Sequence, residues 1–277
     1  MSFTVLESGP LTTIQDAGRP GQAALGIGRS GACDVEAYAL ANRLVGNPEG
    51  AAVLELTFGG LVLLAETDLV VAITGAPCTG VPLNAPHQVR RGTVLRFGPP
   101  TSGLRTYVAV RGGFDVEPVL GSRSSDVLSG LGPAPLAVGD VLPVGTAMRP
   151  MPGVDLAPVA APAAGLVRVR VVPGPRLDWF DEKAWELLTG QTYTVNSNSN
   201  RVGVRLDGMP LPRTREGELP SEGMAVGALQ IPPSGLPVLF LADHPVTGGY
   251  PVIAYVTRAS LPTCAQLRPG QTLQFGP

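Results

Sequence analysis

A mainly β fold with a few helices, built as two β-rich modules, is what this sequence predicts, and three observations carry the prediction. With 36 glycines and 29 prolines in 277 residues and a charged fraction of 15%, many turns must separate short apolar segments. Those segments recur at near-regular spacing, each bounded by Gly, Pro or Asn, as in a barrel or sandwich. A Pro/Ala-rich stretch at 150–165 has no hydrophobic period and reads as a linker between an N-terminal module at 1–149 and a C-terminal module at 166–277.

In order along the chain, turn signals at Gly9-Pro10 and Gly18-Arg19-Pro20 bracket LTTIQ, a brief strand that delivers Gln15, Asp16 and Arg19 into a loop. An amide, a carboxylate and a guanidinium together suit a small polar ligand, and they equally suit satisfaction of a loop backbone. At 35–45, Ala37, Leu40, Ala41 and Leu44 recur at helical spacing, with Asp34 as N-cap and Gly46 as the C′ residue. The Ser30-Gly31 loop before this helix faces its positive end and suits an anion; ordinary capping by Asp34 is the simpler reading. Strands follow at 54–57, 61–65, 68–74, 93–97 and 104–110, and the polar loops Arg111 to Asp115 and Gly121 to Asp126 are each able to line a pocket. The strict Val/Arg alternation of LVRVRVV at 166–172 marks a half-exposed strand. A helix over 178–188 is expected, with Asp178 as N-cap, Phe180, Ala184 and Leu187 on one stripe, Gly190 beyond its end, and Trp179 and Trp185 as core anchors. Tyr193 to Val195 then feeds a cluster of Asn and Ser that includes Asn198, Arg201 follows, and another strand leaves. An echo of the form G-x-x-L-x-F-G-P joins 92–99 to 270–277, each copy the expected closing strand of a module.

Chemistry is expected at 221–250. PVLFLA at 237–242 has the pattern of a strand buried on both faces, and it aims directly at Asp243 and His244. Thr247-Gly248-Gly249-Tyr250 offers glycines that permit positive φ and close approach of backbone N–H groups to an anion. Glu222 and Gln230 flank a Gly-rich connection upstream. A hairpin in which Asp243 merely caps a turn is the alternative.

Several classes are excluded. The net charge of −2 comes from 22 acidic and 20 basic side chains scattered along the chain, so no basic stripe is present to follow nucleic acid. No charged and apolar leader opens the sequence, and no apolar run reaches the roughly 20 residues of a membrane span, so a cytoplasmic protein is expected. Cys33, Cys78 and Cys264 are too dispersed for a Cys-x-x-Cys site and read as reduced structural thiols. With His87 and His244 as its only histidines, the chain carries no multi-histidine zinc site, and no metal ligands are assigned. Lys183 is the only lysine and falls on the second helix, so a Walker-type phosphate loop is absent and no biotin is expected on this chain.

GPLTTIQDAGRPG at 9–21, ANRLVGN at 41–47, YVAVRGGFDVEPVLGSRSS at 107–125, SNRVGVRLDG at 199–208, SEGMAVGALQIPPSG at 221–235 and ADHPVTGGYP at 242–251 together resemble the allophanate hydrolase subunit 2 family, also described as biotin-dependent carboxyltransferase A/B domains. The resemblance runs in order over nearly the whole chain. It implies a cyclophilin-like β-barrel for the C-terminal module and a partner of the allophanate hydrolase subunit 1 type, a homologue of the B subunit of ATP-dependent 5-oxoprolinases. In the urea carboxylase branch of the family, the acidic residue of a D-x-P-x-x-G-G motif belongs to the carboxyl-transfer site, and Asp243 occupies the matching place here. Allophanate hydrolysis itself resembles amidase-signature catalysis, whose lysine setting this chain lacks.

The expected function is therefore that of the C subunit of a 5-oxoprolinase. Such a chain is a hydrolase component inactive without its partners, working on a cyclic amide with the B subunit, and with the A subunit as a further candidate, with ATP and Mg in the complex. Asp243 and Arg201 are the expected catalytic residues. Gln15, Asp16, Arg19, Asn198, Glu222, Gln230, Thr247, Gly248, Gly249 and Tyr250 are the expected substrate-binding residues, with an arginine, Arg201 or Arg19, on the substrate carboxylate. Two alternatives stay open: the carboxyltransferase component of a biotin-dependent urea or amide carboxylase, and a non-catalytic partner, like KipA, of a histidine-kinase inhibitor.

Overall fold

The computed structural model describes residues 1–277. The chain falls into two compact units. Unit 1 comprises Met1–Arg19, Ser30–Asp126 and Gly130–Pro162, and unit 2 comprises Pro20–Arg29, Val127–Ser129 and Ala163–Pro277.

Unit 1 holds β1 (Ser2–Ser8), β2 (Leu11–Gln15), α1 (Val35–Leu44), β3 (Val53–Thr57), β4 (Leu61–Ala65), β5 (Leu69–Gly75), β6 (Pro86–Val89), β7 (Val94–Arg96), β8 (Arg105–Val110) and β9 (Val141–Pro143). They form a four-stranded sheet in the order β7-β4-β1-β9 and a five-stranded sheet in the order β2-β3-β8-β5-β6, with every pairing antiparallel. Side chains alternate across a strand, and this explains the apolar runs LVVAI in β5 and YVAV in β8: each face is buried against something different. Leu54, Leu56, Val71, Ile73, Val108 and Val110 face Phe3, Val5, Leu61 and Leu63 of the other sheet, while Val53, Ala72, Tyr107 and Ala109 pack against Tyr38, Ala41 and Leu44 of α1. Asp34 caps α1 by accepting from the Ala37 N–H at 3.0 Å, and Gly46 beyond its end takes φ +69°, which glycine adopts without strain. The Pro/Ala-rich stretch up to Pro162 belongs to unit 1, where the Ala157 N–H donates to the Asn84 carbonyl at 2.8 Å.

Unit 2 holds β10 (Val167–Pro173), α2 (Glu182–Gly190), β11 (Thr192–Val195), β12 (Gly203–Asp207), β13 (Glu222–Gly223), β14 (Ala228–Gln230), β15 (Val238–Phe240), β16 (Thr247–Gly248), β17 (Val252–Val256), α3 (Leu261–Ala265) and β18 (Thr272–Gly276). Seven strands close into a barrel in the order β10-β17-β14-β15-β12-β11-β18, and the parallel pairing of β18 with β10 completes the ring. The Val/Arg alternation of β10 does what the sequence implies: Val167, Val169 and Val171 are buried, Arg168 and Arg170 exposed. Tyr193 and Phe275 pack with ring centroids 5.5 Å apart. β13 and β16 pair as a small separate ribbon.

Three local expectations are corrected. The helix expected over 178–188 is a 3-10 turn at Leu177–Trp179 followed by α2, because Phe180 is extended and Asp181, not Asp178, accepts from the Ala184 N–H at 2.9 Å. Sinking Trp179 and Phe180 into the core breaks the helical path, Trp185 stays half-buried, and Gly190 becomes the last residue of α2 rather than a residue beyond it. Regular strand in PVLFLA is limited to β15, although the buried apolar character continues through Leu241 and Ala242. The two copies of G-x-x-L-x-F-G-P differ in architecture: β18 lies inside the barrel between β10 and β11, whereas β7 is an edge strand.

Candidate functional site

In unit 1 the polar residues that the sequence places after β2 meet the Ser122 to Ser125 loop. Gln15 is the last residue of β2, and its Nε2 donates to Thr13 Oγ1 at 3.0 Å and to the Ser125 carbonyl at 2.9 Å. Asp16 organises the loop: its Oδ1 accepts from the Gly18 N–H (2.8 Å), Ser122 Oγ (2.6 Å) and Ser124 Oγ (2.6 Å), and its Oδ2 accepts from the Arg123 N–H (2.6 Å). Four donors on one buried carboxylate are what fixing a loop backbone requires. Arg19 turns inward, only 2% exposed, and its Nη2 donates to the Ser124 carbonyl. Arg19 Nε, Arg19 Nη1, Gln15 Oε1 and Ser125 Oγ are buried without hydrogen-bond partners.

The Ser30-Gly31 loop reaches the same place from the start of α1. Ser30 Oγ donates to the Ser125 carbonyl at 3.2 Å, and the Ala32 N–H donates to the Asp16 carbonyl at 3.0 Å. Gly31 sits at φ +97°, and a Cβ there would lie 2.9 Å from the Gly18 nitrogen, so both conformation and closeness call for glycine. Behind this loop is a buried network not visible in the sequence. Glu55 Oε2 accepts from Tyr107 Oη (2.8 Å) and the Cys33 N–H (2.9 Å), the Asp34 N–H donates to Tyr107 Oη (2.8 Å), and Arg105 Nε lies 3.4 Å from Glu55 Oε1. Burial, reinforced by the Glu55 charge, raises the Tyr107 phenol well above its ordinary pKa, so it stays a neutral donor.

In unit 2 the central feature is an ion pair. Arg201 Nε donates to Asp243 Oδ2 at 2.9 Å and Nη2 to Oδ1 at 3.0 Å, the two side chains being 1% and 0% exposed. The Asp243 N–H donates to the Arg201 carbonyl at 3.1 Å, and Asp243 Oδ2 also accepts from the Val127 N–H at 3.1 Å. His244 is turned to its own neighbourhood, with Nδ1 2.8 Å from the Pro245 carbonyl oxygen and its ring centroid 6.2 Å from that of Phe240.

The remaining candidates of this unit divide into two groups. Glu222 pairs with Thr247–Gly248 through the β13–β16 ribbon, and its carboxylate is gripped by Arg176, Nε to Oε2 at 3.0 Å and Nη2 to Oε1. Gln230 Nε2 donates to the Tyr250 carbonyl at 3.3 Å. Gly248 and Gly249 do not take positive φ, which corrects the expectation of a left-handed nest for an anion. A Cβ on Gly248 would lie 2.7 Å from Gln230 Nε2, so a larger residue there would displace that amide, and the Gly249 carbonyl accepts from the Leu219 N–H at 2.8 Å. Asn198 is exposed in a hairpin loop that satisfies itself: Asn196 Oδ1 takes the Asn198 N–H at 2.9 Å and Asn200 Oδ1 takes the Val202 N–H at 2.8 Å.

Ser122 and Ser124 are the residues that sequence reasoning left in the background. GSRSSD reads as a flexible polar loop, and nothing in its composition tells that these serines are fully buried. The signal available was Asp16 itself, a carboxylate in a Gly/Pro-bounded loop that needs donors from elsewhere in the chain.

A family model described as "Carboxyltransferase domain, subdomain A and B" matches residues 25–277. The C subunit of the Escherichia coli (strain K12) 5-oxoprolinase is 38% identical over 98% of this chain and 89% of its own length. The urea amidolyase of Lachancea kluyveri is 36% identical over 100% of this chain but only 17% of its own length. Among solved structures, the crystal structure of TTHA0988 superposes with a TM-score of 0.89 at 38% identity and covers all of this chain, which spans about half (55%) of the solved chain's length. This chain belongs to the carboxyltransferase domain, subdomain A and B, family.

Proposed function

We propose that this chain is the C subunit of an ATP-dependent 5-oxoprolinase, working with a B subunit of the allophanate hydrolase subunit 1 type and with an A subunit. The observation that carries the reading is the match to the C subunit of a 5-oxoprolinase over 98% of this chain and 89% of the relative. Net, the reaction is 5-oxoproline + ATP + 2 H2O → glutamate + ADP + phosphate. The lactam ring is unstrained and its carbon poorly electrophilic; ATP, with its Mg, supplies the phosphoryl group that activates the carbonyl oxygen in the complex.

This chain's own residues are proposed to bind and orient. In unit 1, Gln15 and Arg19 are the proposed substrate contacts, with Asp16 holding the serine loop in place; in unit 2, taken by itself, Asn198, Glu222, Gln230 and Thr247 to Tyr250 are the polar residues proposed to contact a ligand. No step is routed through Gly248 and Gly249 to phosphate, because their backbone lacks the left-handed turn that would cradle it. Arg201 and Asp243 are proposed to act as a unit, the carboxylate fixing the guanidinium so that its positive charge faces negative charge developing on the substrate.

Reconstitution tests the reading. Purified chain combined with its B and A partners releases glutamate from 5-oxoproline and consumes ATP; a folded, fully assembled set that leaves 5-oxoproline intact overturns it. The likeness to urea amidolyase favours a second reading, carboxyl transfer from a biotin carrier to a urea-like amide. Carrier-dependent bicarbonate fixation, in place of glutamate release, would select it.

A further inference from the structure

We infer that Arg19, Gln15 and Ser125 form a recognition site for a small carboxylate that also bears an amide, with Ser125 as a specificity-determining residue. The site deepens the 5-oxoprolinase reading and rests on it for the choice of 5-oxoproline as ligand. Its basis is a cluster of unmet hydrogen-bonding capacity. Gln15, Arg19 and Ser125 are 0%, 2% and 2% exposed, yet Gln15 Oε1, Arg19 Nε, Arg19 Nη1 and Ser125 Oγ have no partner. The three residues are joined through one stretch of backbone: Gln15 Nε2 on the Ser125 carbonyl at 2.9 Å and Arg19 Nη2 on the Ser124 carbonyl.

Buried polar atoms are normally paired, and a guanidinium held by one neutral carbonyl is an expensive exception that calls for an anion. Asp16 on the same loop does not serve, since its two oxygens already take four donors from Gly18, Ser122, Arg123 and Ser124. The chemistry of the unmet atoms then specifies the ligand. Arg19 offers N–H donors on two nitrogens to a carboxylate. The orientation of Gln15 is fixed because its Nε2 must face the Ser125 carbonyl, so Oε1 can only accept, and it asks the ligand for an N–H. Ser125 Oγ both donates and accepts, and it complements an amide carbonyl. A carboxylate, an amide N–H and an amide C=O in one small molecule describe 5-oxoproline; a neutral urea leaves Arg19 without its anion.

Ligand binding to the full chain, and to the assembled complex, measured by calorimetry, separates this from the general function. The probes are 5-oxoproline, 2-pyrrolidinone, which lacks the carboxylate, and cyclopentanecarboxylate, which lacks the amide. Tightest binding of 5-oxoproline is expected, with Arg19→Lys weakening it by roughly tenfold to a hundredfold and Ser125→Ala by about fivefold. Because Ser125 Oγ has no partner in the fold, Ser125→Ala is expected to leave the melting temperature unchanged or raise it, which a structural role of that hydroxyl would not allow. Equal affinity for 2-pyrrolidinone and 5-oxoproline overturns the site, as does undiminished binding in Arg19→Lys and Ser125→Ala, or no binding to either chain or complex. A complex that binds 5-oxoproline through these residues but releases no glutamate keeps the site and discards the function.

Discussion

Replacing Asp243 with Asn removes the charge that balances Arg201 while keeping the shape of the side chain. Both members of the pair are shielded from water, at 1% and 0% exposure, so screening does not soften the loss. Of the bonds at 2.9 and 3.0 Å only one keeps an acceptor, an amide oxygen in place of a carboxylate, and the buried guanidinium loses this counter-charge. Breaking one side of such a pair costs about 3–5 kcal/mol, which lowers the melting temperature by roughly 10 °C. Removing both charges is different: Arg201→Met combined with Asp243→Leu takes both ions of the pair out of the interior together, at the cost of the acceptor for the Val127 N–H, and is expected to destabilise less than either single replacement. Calorimetric melting of the native chain, Arg201→Met, Asp243→Leu and the double variant closes the cycle, with Asp243→Asn as the isosteric comparison, and glutamate release by the reconstituted complex gives the functional arm. The double variant should be folded and inactive. Single variants that melt within about a degree of the native chain would refute the account of the pair, and a double variant with undiminished turnover would show that the pair serves the fold alone.

Other outcomes follow from the same geometry. Asp16→Asn replaces an acceptor-only group carrying four bonds by one that meets donors with an NH2, and chemical denaturation should register a loss of about 2–3 kcal/mol. Asp181→Ala deletes the N-cap of α2 and should cost about 1 kcal/mol, whereas Asp178→Ala, outside the helix, should cost less, since its exposed pairing with Arg215 contributes little; equal losses in urea titrations would contradict the observed start of α2. Burial pushes the Cys264 thiol up from 9.0 to about 12, so the unfolded chain releases this proton first as pH rises. The folded state then binds more protons than the unfolded one, and stability falls as pH climbs from about 9 towards about 12; a Cys264→Ala variant should show a shallower decline over that window in pH-dependent denaturation. In native protein near neutral pH, a thiol reagent should modify half-buried Cys33 ahead of buried Cys78 and Cys264.

The strands were readable wherever burial leaves a periodic imprint. β10 shows its two faces in the Val/Arg alternation, and β5 and β8 carry the apolar runs LVVAI and YVAV because one side meets a sheet and the other meets α1. What escaped was structure decided by distant partners. The break at Phe180 depends on a core site for Trp179 and Phe180, and local propensity cannot see that site. The glycines at 248 and 249 signal backbone freedom in sequence, yet neither takes positive φ; a Cβ would meet the Gln230 amide nitrogen at 2.7 Å and the Leu219 carbonyl oxygen at 3.1 Å. For the candidate residues the same division holds. Asp16 and Arg19 stand out as charges in a turn, but which is committed to the fold and which retains capacity depends on serines about a hundred positions later.

The buried arginines sharpen that point. Arg201 is answered by Asp243 through two short bonds, and Arg105 lies beside the Glu55 carboxylate that also holds Tyr107 and the Cys33 N–H. In each case an interior guanidinium is accompanied by an interior carboxylate, as the cost of an isolated buried charge demands. Arg19 departs from the pattern although Asp16 is three positions away in the sequence, because that carboxylate is spent on Ser122, Ser124 and two backbone N–H groups. A protein that needed only to fold would gain by turning Asp16 towards Arg19 and leaving the neutral serine hydroxyls to find carbonyls. Building the costlier arrangement makes sense when the missing counter-ion arrives with a ligand, and the melting temperature of the native chain should then rise on adding 5-oxoproline, an increase that Arg19→Met abolishes.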